Sequence, residues 1–435
     1  MKPCRYETFF HVFIVPVFFL GVCCLWGCGR NDGGASDASS RSDPFRILMV
    51  ADPVAMAFER ELPRLEEALG RRIQLETVGY NDGRRLALLN ALDEVSRYDL
   101  IAFDIVWLGE FVNKGILSDL SDAFPEAQLD AFLSEPLRGS RIGGRLYGLP
   151  IQPHGEHLWV RKDLLADHGL DFPKTTDAVL EVAKILHDPA AGRYGIAWNA
   201  QRGQPLGQTM AHFFAAFGQP LLDEAGMPAF HTERGLKAAE YALALKEYSP
   251  PDILNMAWDL RTSRFAAGGV AMTYGWGARA HMAEDNSASR VRGLVTYGPA
   301  PHAPDASPVT PLGVWSLGVP AHARSRRHSV QMLSRILQPD VQRWLVEAGN
   351  GAPPLIDLVA DLEIQQKHPV LETVQALDQA GHFDMEMRPR IPQWADLCEI
   401  LGTEFHEMLA GRASPEEALQ RADAAARKLL AAEVP

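Results

Sequence analysis

The sequence predicts an α/β fold built around a largely parallel β-sheet with helices on both faces. Short apolar runs alternate with segments of helical periodicity through most of the chain, as expected for strands joined by helical connections. Residues 98–104 (YDLIAFD) are apolar with almost no alternation, which is typical of a strand buried on both faces. The chain has 435 residues, of which 47% are hydrophobic and 22% charged. It is therefore long enough for two or three ordinary globular domains.

The first elements begin directly after residue 44. Residues 45–51 (FRILMVA) and 73–78 predict two strands that flank a helix. The apolar residues of that helix repeat at helical spacing, Gly70 ends it, and Pro63 lies within its length. Residues 86–92 predict the next helix, which leads into the buried strand described above.

The same alternation continues towards the C-terminus. Residues 161–168 predict a short helix that Gly169 closes, and Thr176 predicts the N-terminal cap of another helix. The proline-rich residues 298–311 (GPAPHAPDASPVTP) cannot sustain regular strand pairing and are the best internal candidate for a domain boundary. Residues 414–417 (SPEE) form a capping-box pattern with proline at the first helical position, so a C-terminal helix is expected.

The N-terminal residues 1–27 differ from the rest of the chain. After a weakly basic start this stretch is almost entirely apolar, and a polar Gly/Ser-rich stretch follows, as in an export signal and its linker. Residues 25–28 (LWGC) resemble the lipobox of bacterial lipoproteins, although Trp26 departs from that pattern. The resemblance implies cleavage before Cys28, acylation of that cysteine and a flexible linker over residues 28–43. A membrane-retained signal anchor is the alternative.

Charge and cysteine content argue against several classes of function. The 42 Lys and Arg against 55 Asp and Glu give a net charge of −13, so the protein repels polyanions and nucleic acid is a poor candidate partner. Four of the five cysteines lie at or before position 28, which leaves Cys398 in the body of the chain. The body therefore has no cysteine pair for an intrachain disulfide, a Cys-based zinc cage or a redox centre.

Residues 146–165 (LYGLPIQPHGEHLWVRKDLL) contain a group of candidate ligands or catalytic residues, namely His154, Glu156 and His157. Two nearby prolines favour an extended segment, in which His154 and Glu156 point to one side and His157 to the other, so the three do not converge on a metal. The sequence also lacks the Gly-x-Ser-x-Gly elbow of serine hydrolases and the phosphate-binding GxxxxGK[ST] loop. A pair of glycosidase carboxylates is left open, since an acidic chain offers many such pairs.

Aromatic residues mark the predicted ends of several elements. They stand beside amide groups, carboxyl groups or glycines at Trp107, Trp198, Trp276, Trp315 and Trp394. Aromatic faces next to polar groups suit a sugar, whose C–H faces stack on rings while its hydroxyls form directional hydrogen bonds. A tryptophan is more often a core residue than a ligand platform. Trp276 is the best candidate platform because its flanking glycines predict a loop tip.

Four segments resemble one family, the extracellular solute-binding proteins of ABC importers, and within it the maltose-binding-like group for sugars and oligosaccharides. The resemblance extends from about residue 45 to the C-terminus and depends on the order and spacing of its motifs. The segments are YDLIAFDIVWLGEFVNKGILSDLSD, GGRLYGLPIQPHGEHLWVRKDLLADHGLDFPKTTDAVLEVAKIL, RFAAGGVAMTYGW, and the closing pair RPRIPQWADL and GRASPEEAL.

The resemblance implies a two-lobed periplasmic-binding-protein-like fold of type II, with a ligand cleft between lobes joined by a hinge of crossing strands. The implied N-terminal lobe comprises residues 44–153 and 298–354, and the C-terminal lobe residues 154–297 and 355–435. By positional matching, the implied ligand-binding residues are Asp52, Asp104, Trp107, His154, Glu156, Arg202, Gln204, Trp276 and Trp394. His154 falls near the position of a ligand-contacting carboxylate in the maltose-binding member, so the chain departs from that member at this position.

The resulting hypothesis is a monomeric, lipid-anchored binding protein that captures a sugar or oligosaccharide outside the cytoplasmic membrane. It would deliver this ligand to the permease subunits of an ABC transporter, without catalysis, a cofactor or a metal. One rival ligand is a phosphorylated or otherwise charged polyol, which Arg202 and His154 would meet. A rival of another class is a secreted carbohydrate hydrolase.

Overall fold

The computed structural model describes residues 43–284 and 287–432. The predicted signal segment 1–27, the lipidation residue Cys28 and nearly all of the predicted linker 28–43 lie outside these described residues. The following account concerns the body of the chain.

Nine of the strands in the described residues form one mixed sheet, and two short strands form a separate hairpin. The strands are β1 (Phe45–Val50), β2 (Ile73–Val78), β3 (Leu100–Asp104), β4 (Arg141–Ile142), β5 (Arg145–Leu146), β6 (Leu149–Arg161), β7 (Tyr194–Ala197), β8 (Val270–Trp276), β9 (Val295–Gly298), β10 (Thr310–Gly318) and β11 (Phe383–Asp384). The strands predicted at 45–51, 73–78 and 98–104 correspond to β1, β2 and β3.

The sheet has the strand order β2-β1-β3-β10-β6-β8-β7, with β11 beside β10 and β9 beside β6. β1 runs parallel to β2 and β3, and β7 runs parallel to β8. In contrast, β10 is antiparallel to β3 and β6, and β6 is antiparallel to β8 and β9. The prediction of a parallel sheet is therefore confirmed for β1, β2 and β3. It is wrong for the middle of the sheet, where β10 and β6 run antiparallel to β3 and β8.

The long strand β6 belongs to both halves of the sheet. Its first part pairs with β10 as far as Gly155, which lies opposite Leu312. From Glu156, which lies opposite Trp276, it pairs with β8 instead. We call β1, β2, β3 and β10 the first half and β7, β8 and β9 the second half; β6 passes from one to the other.

The helices cover both halves. The α-helices of the described residues are Pro53–Arg60, Leu62–Leu69, Tyr80–Asn90, Leu108–Asn113, Glu126–Leu129, Ser134–Gly139, Lys162–His168, Thr176–Leu186, Gln204–Ala216, Glu233–Glu247, Trp258–Ala266, His281–Glu284, Arg326–Ile336, Pro339–Glu347, Ile356–Val359, Leu362–Lys367, Val370–Ala380, Trp394–Leu409 and Pro415–Ala431. The single helix predicted before Gly70 is two helices that meet at Glu61, just before Pro63.

Helix ends follow capping chemistry closely. Ser414 and Glu417 form the predicted capping box, and Gly169 adopts the left-handed conformation that ends the helix Lys162–His168. The predicted cap Thr176 is wrong by one position, because the side chain of Thr175 accepts the backbone N–H of Ala178. The helix predicted at 86–92 begins earlier, at Tyr80, and ends at Asn90.

Strand side chains such as Leu48, Phe103 and Trp159 are fully buried in the apolar core. Burial of such large side chains is the main favourable contribution to folding. Among the helices in the described part of the chain, none has the length and apolar character needed to cross a membrane.

Candidate functional site

A cavity of about 290 Å³ lies where strands of both halves end. Val50 ends β1, Asp104 ends β3 and Trp276 ends β8. Strand ends of this kind are where α/β proteins commonly bind ligands, because the loops that follow leave a crevice. The lining comprises Val50, Ala51, Asp52, Gly79, Tyr80, Asp104, His154, Gln208, Trp258, Asp259, Trp276, Arg279, Trp315 and Arg388.

Four aromatic side chains, Tyr80, Trp258, Trp276 and Trp315, form much of the cavity wall. The ring centroids of Tyr80 and Trp258 are 5.9 Å apart, and those of Tyr80 and Trp315 are 6.0 Å apart. Tyr80 follows β2 in the first half, whereas the helix that begins at Trp258 packs on β8 in the second half. The contact between these two rings therefore joins the two halves across the cavity.

Asp104 is held by two donors at one carboxylate oxygen. The Tyr80 hydroxyl donates to Asp104 Oδ2 at 2.8 Å, and Arg388 Nη2 donates to the same oxygen at 2.9 Å. Burial and the neighbouring Asp104 raise the pKa of Tyr80 well above its ordinary value, so the hydroxyl keeps its proton. Asp104 Oδ1 is buried and has no hydrogen-bond partner among the described residues. It is therefore an acceptor that the described residues leave without a donor.

Asp52 and Arg279 form a second charged group that lines the cavity. Trp315 Nε1 donates to Asp52 Oδ2 at 3.1 Å, and Arg279 Nη2 lies 3.6 Å from the same oxygen. Arg279 also forms an ion pair with Asp259. Asp52 follows β1 and Arg279 follows β8, so this ion pair is a second link between the two halves.

His154 contributes an imidazole acceptor to the cavity. Its Nδ1 lies 2.9 Å from the carbonyl oxygen of Gln152, and because a carbonyl only accepts, Nδ1 carries the proton in the neutral ring. Burial lowers the pKa of His154 below its ordinary value, although the nearby Asp52 opposes this shift. The ring is therefore neutral near pH 7, with Nε2 as an acceptor, and it packs edge-on against Trp276 with centroids 5.0 Å apart.

Trp276 lines the cavity, but the prediction that it lies at a loop tip is wrong. It is the last residue of β8 and only 7% of its surface is exposed. Its flanking glycines serve close packing instead: a Cβ atom on Gly275 would lie 2.4 Å from the Trp159 ring, and one on Gly277 would lie 3.1 Å from the His157 ring. The glycines thus allow buried rings to approach the strand.

Glu156 lies beside the cavity in a buried ion group of its own. Arg261 Nη2 lies 2.5 Å from Glu156 Oε1, and His212 Nδ1 lies 3.1 Å from Oε2. Burial alone would raise the pKa of Glu156, but Arg261 and then His212 outweigh it and lower the pKa to about 2. The carboxylate therefore balances the charge of the buried Arg261 in the second half.

His157 is fully buried, and neither ring nitrogen has a hydrogen-bond partner within the described residues. Burial, with His154 nearby, lowers its pKa to about 3, so the ring is neutral. His154, Glu156 and His157 thus face different surroundings. Within residues 43–284 and 287–432, no group of three or more His, Cys, Asp or Glu side chains is arranged to hold a metal ion.

The structure places the remaining predicted ligand-binding residues outside the cavity lining. Trp107 packs behind the wall, with its centroid 4.9 Å from Tyr80. The side chain of Arg202 is 52% exposed and pairs with Glu407. Gln204 Nε2 donates to the carbonyl oxygen of Ala395, and Trp394 is buried at the start of its helix. Of the nine predicted residues, the structure brings together Asp52, Asp104, His154 and Trp276.

Sequence comparison assigns the chain to a family. Residues 54–326, more than half of the chain, match the family described as bacterial extracellular solute-binding protein. The chain belongs to this family. It is a family of substrate-binding proteins rather than of enzymes, and its members work with ABC permeases.

Individual relatives agree with this assignment. The solute-binding protein described here is 26% identical over 369 residues, or 81% of each chain, to the probable amino-acid ABC transporter periplasmic-binding protein y4oP of Sinorhizobium fredii. A crystal structure of an ABC transporter solute-binding protein from Agrobacterium radiobacter, in complex with ribitol, is 25% identical. It covers 89% of this chain and 98% of its own length, with a TM-score of 0.84.

A third relative shows the same fold at lower identity. The maltose-bound MalE3 of T. maritima is 19% identical, covers 88% of this chain and 100% of its own length, and has a TM-score of 0.80. These structures bear out the predicted two-lobed periplasmic-binding-protein-like fold.

Several cavity residues of this solute-binding protein were missed by sequence reasoning. Tyr80 and Trp258 are each the first residue of a helix, a position with no distinctive local pattern. Arg388 lies within RPRIPQWADL, a segment that resembles the family, but the resemblance predicts Trp394 there rather than Arg388. Similarly, Gln208 lies one helical turn beyond the predicted Gln204. Of these missed residues, Arg388 lies within a segment that resembles the family, whereas Tyr80, Trp258 and Gln208 reach the cavity through tertiary packing.

Proposed function

We propose that this chain is the substrate-binding lipoprotein of an ABC importer and captures a neutral sugar or sugar alcohol outside the cytoplasmic membrane. The observation that carries the proposal is the composition of the cavity, which combines four aromatic rings with charged groups that are already paired with one another. Aromatic rings offer apolar platforms to the C–H faces of a sugar, and buried acceptors bind its hydroxyls.

The proposed ligand contacts are those of an uncharged polyhydroxyl compound. Trp276 provides a ring face, while Asp104 Oδ1 and His154 Nε2 accept hydrogen bonds from hydroxyl groups. Asp52 also lines the cavity, where Arg279 balances its charge. Hydrogen bonds to charged groups are stronger than those between neutral groups, so a hydroxyl on Asp104 contributes more than an average contact.

The charge distribution disfavours the rival charged or phosphorylated polyol. The cavity contains three aspartates and two arginines, so carboxylates outnumber guanidinium groups by one. The cation that this rival required, Arg202, is exposed and paired with Glu407 outside the cavity lining. A phosphate would therefore meet an excess of negative charge and lose its hydration without a free cation.

We further propose that the two lobes close around the ligand about β6, with the lobe boundaries 44–153 with 298–354 and 154–297 with 355–435. The exchange of strand partners between Gly155 and Glu156 supports this hinge. The contacts between Tyr80 and Trp258 and between Asp52 and Arg279 support a closed arrangement, since they connect the two halves. The ligand should favour the closed form, because both walls of the cavity contact the ligand only when the lobes are closed.

Native mass spectrometry of protein purified without refolding tests the proposed ligand class. The expected result is a bound neutral species with the mass of a sugar or sugar alcohol, which titration calorimetry with the identified compound then reproduces. Bound phosphorylated compounds would overturn the proposal, as would an amino acid, the ligand class named for the S. fredii relative. Incubation with oligosaccharides should return them unchanged, because the proposal includes no turnover.

A further inference from the structure

The buried carboxylate of Glu156 connects three elements of the second half. Glu156 lies on β6, directly opposite Trp276 of β8. Its two carboxylate oxygens contact Arg261 and His212, which belong to two different helices. Arg261, His212 and Glu156 are only 1%, 3% and 4% exposed, and none of the three lines the cavity. Their effect on a ligand in the cavity must therefore pass through other residues.

The contact with Arg261 holds the first turn of the helix Trp258–Ala266. Trp258 and Asp259 line the cavity, and Arg261 follows Trp258 by three positions, so the two residues are neighbours on the helix surface. Arg261 Nε and Nη1 are buried and have no hydrogen-bond partner among the described residues. The ion pair with Glu156 is therefore the contact that fixes this guanidinium, and the position of Trp258 depends on it.

The contact with His212 acts on the helix Gln204–Ala216 in the same way. His212 lies one helical turn after Gln208, which lines the cavity. The amide oxygen of Gln208 accepts a hydrogen bond from Arg388 Nη2 at 3.2 Å. The distance of 3.1 Å between His212 Nδ1 and Glu156 Oε2 thus determines how far this part of the helix lies from β6.

The third connection passes through the sheet. Residues directly opposite each other in an antiparallel pair project to the same face, with Cβ atoms about 4.5–5.5 Å apart. Glu156 and Trp276 are such a pair, and Trp276 packs against His154 in the cavity lining. Glu156 is therefore one helical turn or one strand pair away from three cavity-lining side chains, namely Trp258, Gln208 and Trp276.

A buried carboxylate is not the most stable way to fill this space. Well-packed apolar side chains of similar volume often give equal or greater stability than a buried ion pair, whereas loss of one partner leaves an unpaired charge. A buried charged network does, however, impose direction, because each donor must point at a carboxylate oxygen. The contacts of Glu156 therefore fix two helices relative to β6 more strictly than apolar packing does.

We propose that Glu156 is a positioning residue for ligand binding: it holds the two helices and β8 at the separation that the ligand requires, without contacting the ligand itself. It acts on the cavity through Trp258, Gln208 and Trp276. This inference rests on the proposed function and deepens it, because it assigns a role at the same site to residues outside the cavity lining.

A double-mutant cycle measured by titration calorimetry tests the connection through Arg261. The probes are ribitol, D-mannitol, D-glucose and maltose, and the probe that the wild-type protein binds most tightly is used for all variants. Arg261→Met replaces the guanidinium with an apolar side chain and should weaken binding of this probe about tenfold. In a Trp258→Ala background the same substitution should change the affinity by no more than about twofold, because Arg261 acts through Trp258.

A second cycle tests the other helix. His212→Leu should weaken binding of the probe by about fivefold or more in the wild-type background and by no more than about twofold in a Gln208→Ala background. Arg261→Lys keeps the positive charge beside Glu156 and should bind the probe more tightly than Arg261→Met. If Arg261→Met does not fold, Arg261→Lys takes its place in the first cycle and decides the matter.

Ser249→Ala is the matched control, because it removes a different buried contact of the second half. Ser249 Oγ accepts a hydrogen bond from Trp198 Nε1 at 3.0 Å, and neither residue lines the cavity. The substitution should lower the melting temperature and leave the dissociation constant of the folded protein within about twofold of the wild-type value.

The possible failures are distinguishable. A folded Arg261→Met protein with wild-type affinity would overturn the positioning role and leave the proposed function intact. Equal affinity losses with and without Trp258, or an equal loss in Ser249→Ala, would do the same, because such losses reflect a general loosening of the fold. If none of the probes binds to the wild-type protein, both the proposed function and the positioning role are overturned.

Discussion

Replacement of Trp276 by alanine tests whether this residue is a platform for the ligand or only a part of the core. Trp276 packs against His154 on one side, lies near Arg388 on another and borders the cavity with the remaining face. The substitution therefore removes both packing within the protein and the apolar surface offered to the ligand. These two losses are measured by different experiments.

The binding loss follows from the ring area that a sugar can cover. If the ligand covers about 50 Å² of the indole face, at about 25 cal/mol per Å², the loss is about 1.3 kcal/mol, or roughly tenfold in affinity. Trp→Ala in a core costs about 3–5 kcal/mol of unfolding free energy, and we expect about 2–3 kcal/mol here because one face borders a cavity. Trp276→Phe should retain part of both quantities.

Calorimetric titration and thermal unfolding of the same variant distinguish the two contributions. The control is Trp159→Ala, since Trp159 is fully buried against Phe265 and Tyr297 and has no face on the cavity. The control should lower the melting temperature and leave the dissociation constant of the folded protein within about twofold. A folded Trp276→Ala protein with wild-type affinity would refute the platform, as would equal affinity losses in both variants.

Three other predictions concern stability, anchoring and closure. Because the pKa of His157 is about 3 in the folded protein and 6.5 ordinarily, its neutral form stabilises the fold above pH 6.5, and the stabilisation falls by about 1.4 kcal/mol per pH unit below that value. His157→Leu should remove this pH dependence of the unfolding free energy between pH 6.5 and about 5, a range above that in which carboxylates titrate. An unchanged pH dependence, measured by chemical denaturation, would contradict the assignment. Cys28→Ser should release the protein from membranes into the soluble fraction, and a wild-type protein without a lipid mass on Cys28 would refute the anchor. Ligand should reduce the radius of gyration in small-angle scattering, and Asp52→Asn, which removes the ion pair with Arg279, should require more ligand for the same reduction; an unchanged radius at saturation would contradict closure.

Local sequence patterns predicted β1, β2 and β3, which are parallel as expected, but not the antiparallel strands in the middle of the sheet. β1 and β3 follow from short apolar runs, because nearly all of their side chains are buried, whereas in β2 only Ile73 is buried. The direction of β10 depends on pairing with residues far away in sequence: Trp315 lies opposite Asp104. Such register is determined by tertiary packing. The mixed strand directions could therefore not be predicted from hydrophobic periodicity.

The same distinction applies to the site. Asp104 and Trp276 end strands, and residues at strand ends reach the cavity in this fold. Alternation along an extended segment placed Glu156 on the same side as His154, but β6 changes partner just before Glu156. Glu156 therefore meets Arg261 and His212 instead of the cavity. The contacts of such residues can be predicted only when the neighbouring strand is known, and local residue spacing does not identify that strand.

The central position of β10 has a consequence for the order in which this protein folds. β10 pairs with β3 on one side and β6 on the other, yet it begins only at Thr310. During synthesis, β3 and β6 therefore emerge long before the strand that separates them, and their edges stay unpaired until then. Pairings between distant segments form slowly. Most of the chain must accordingly be synthesised before the sheet can close.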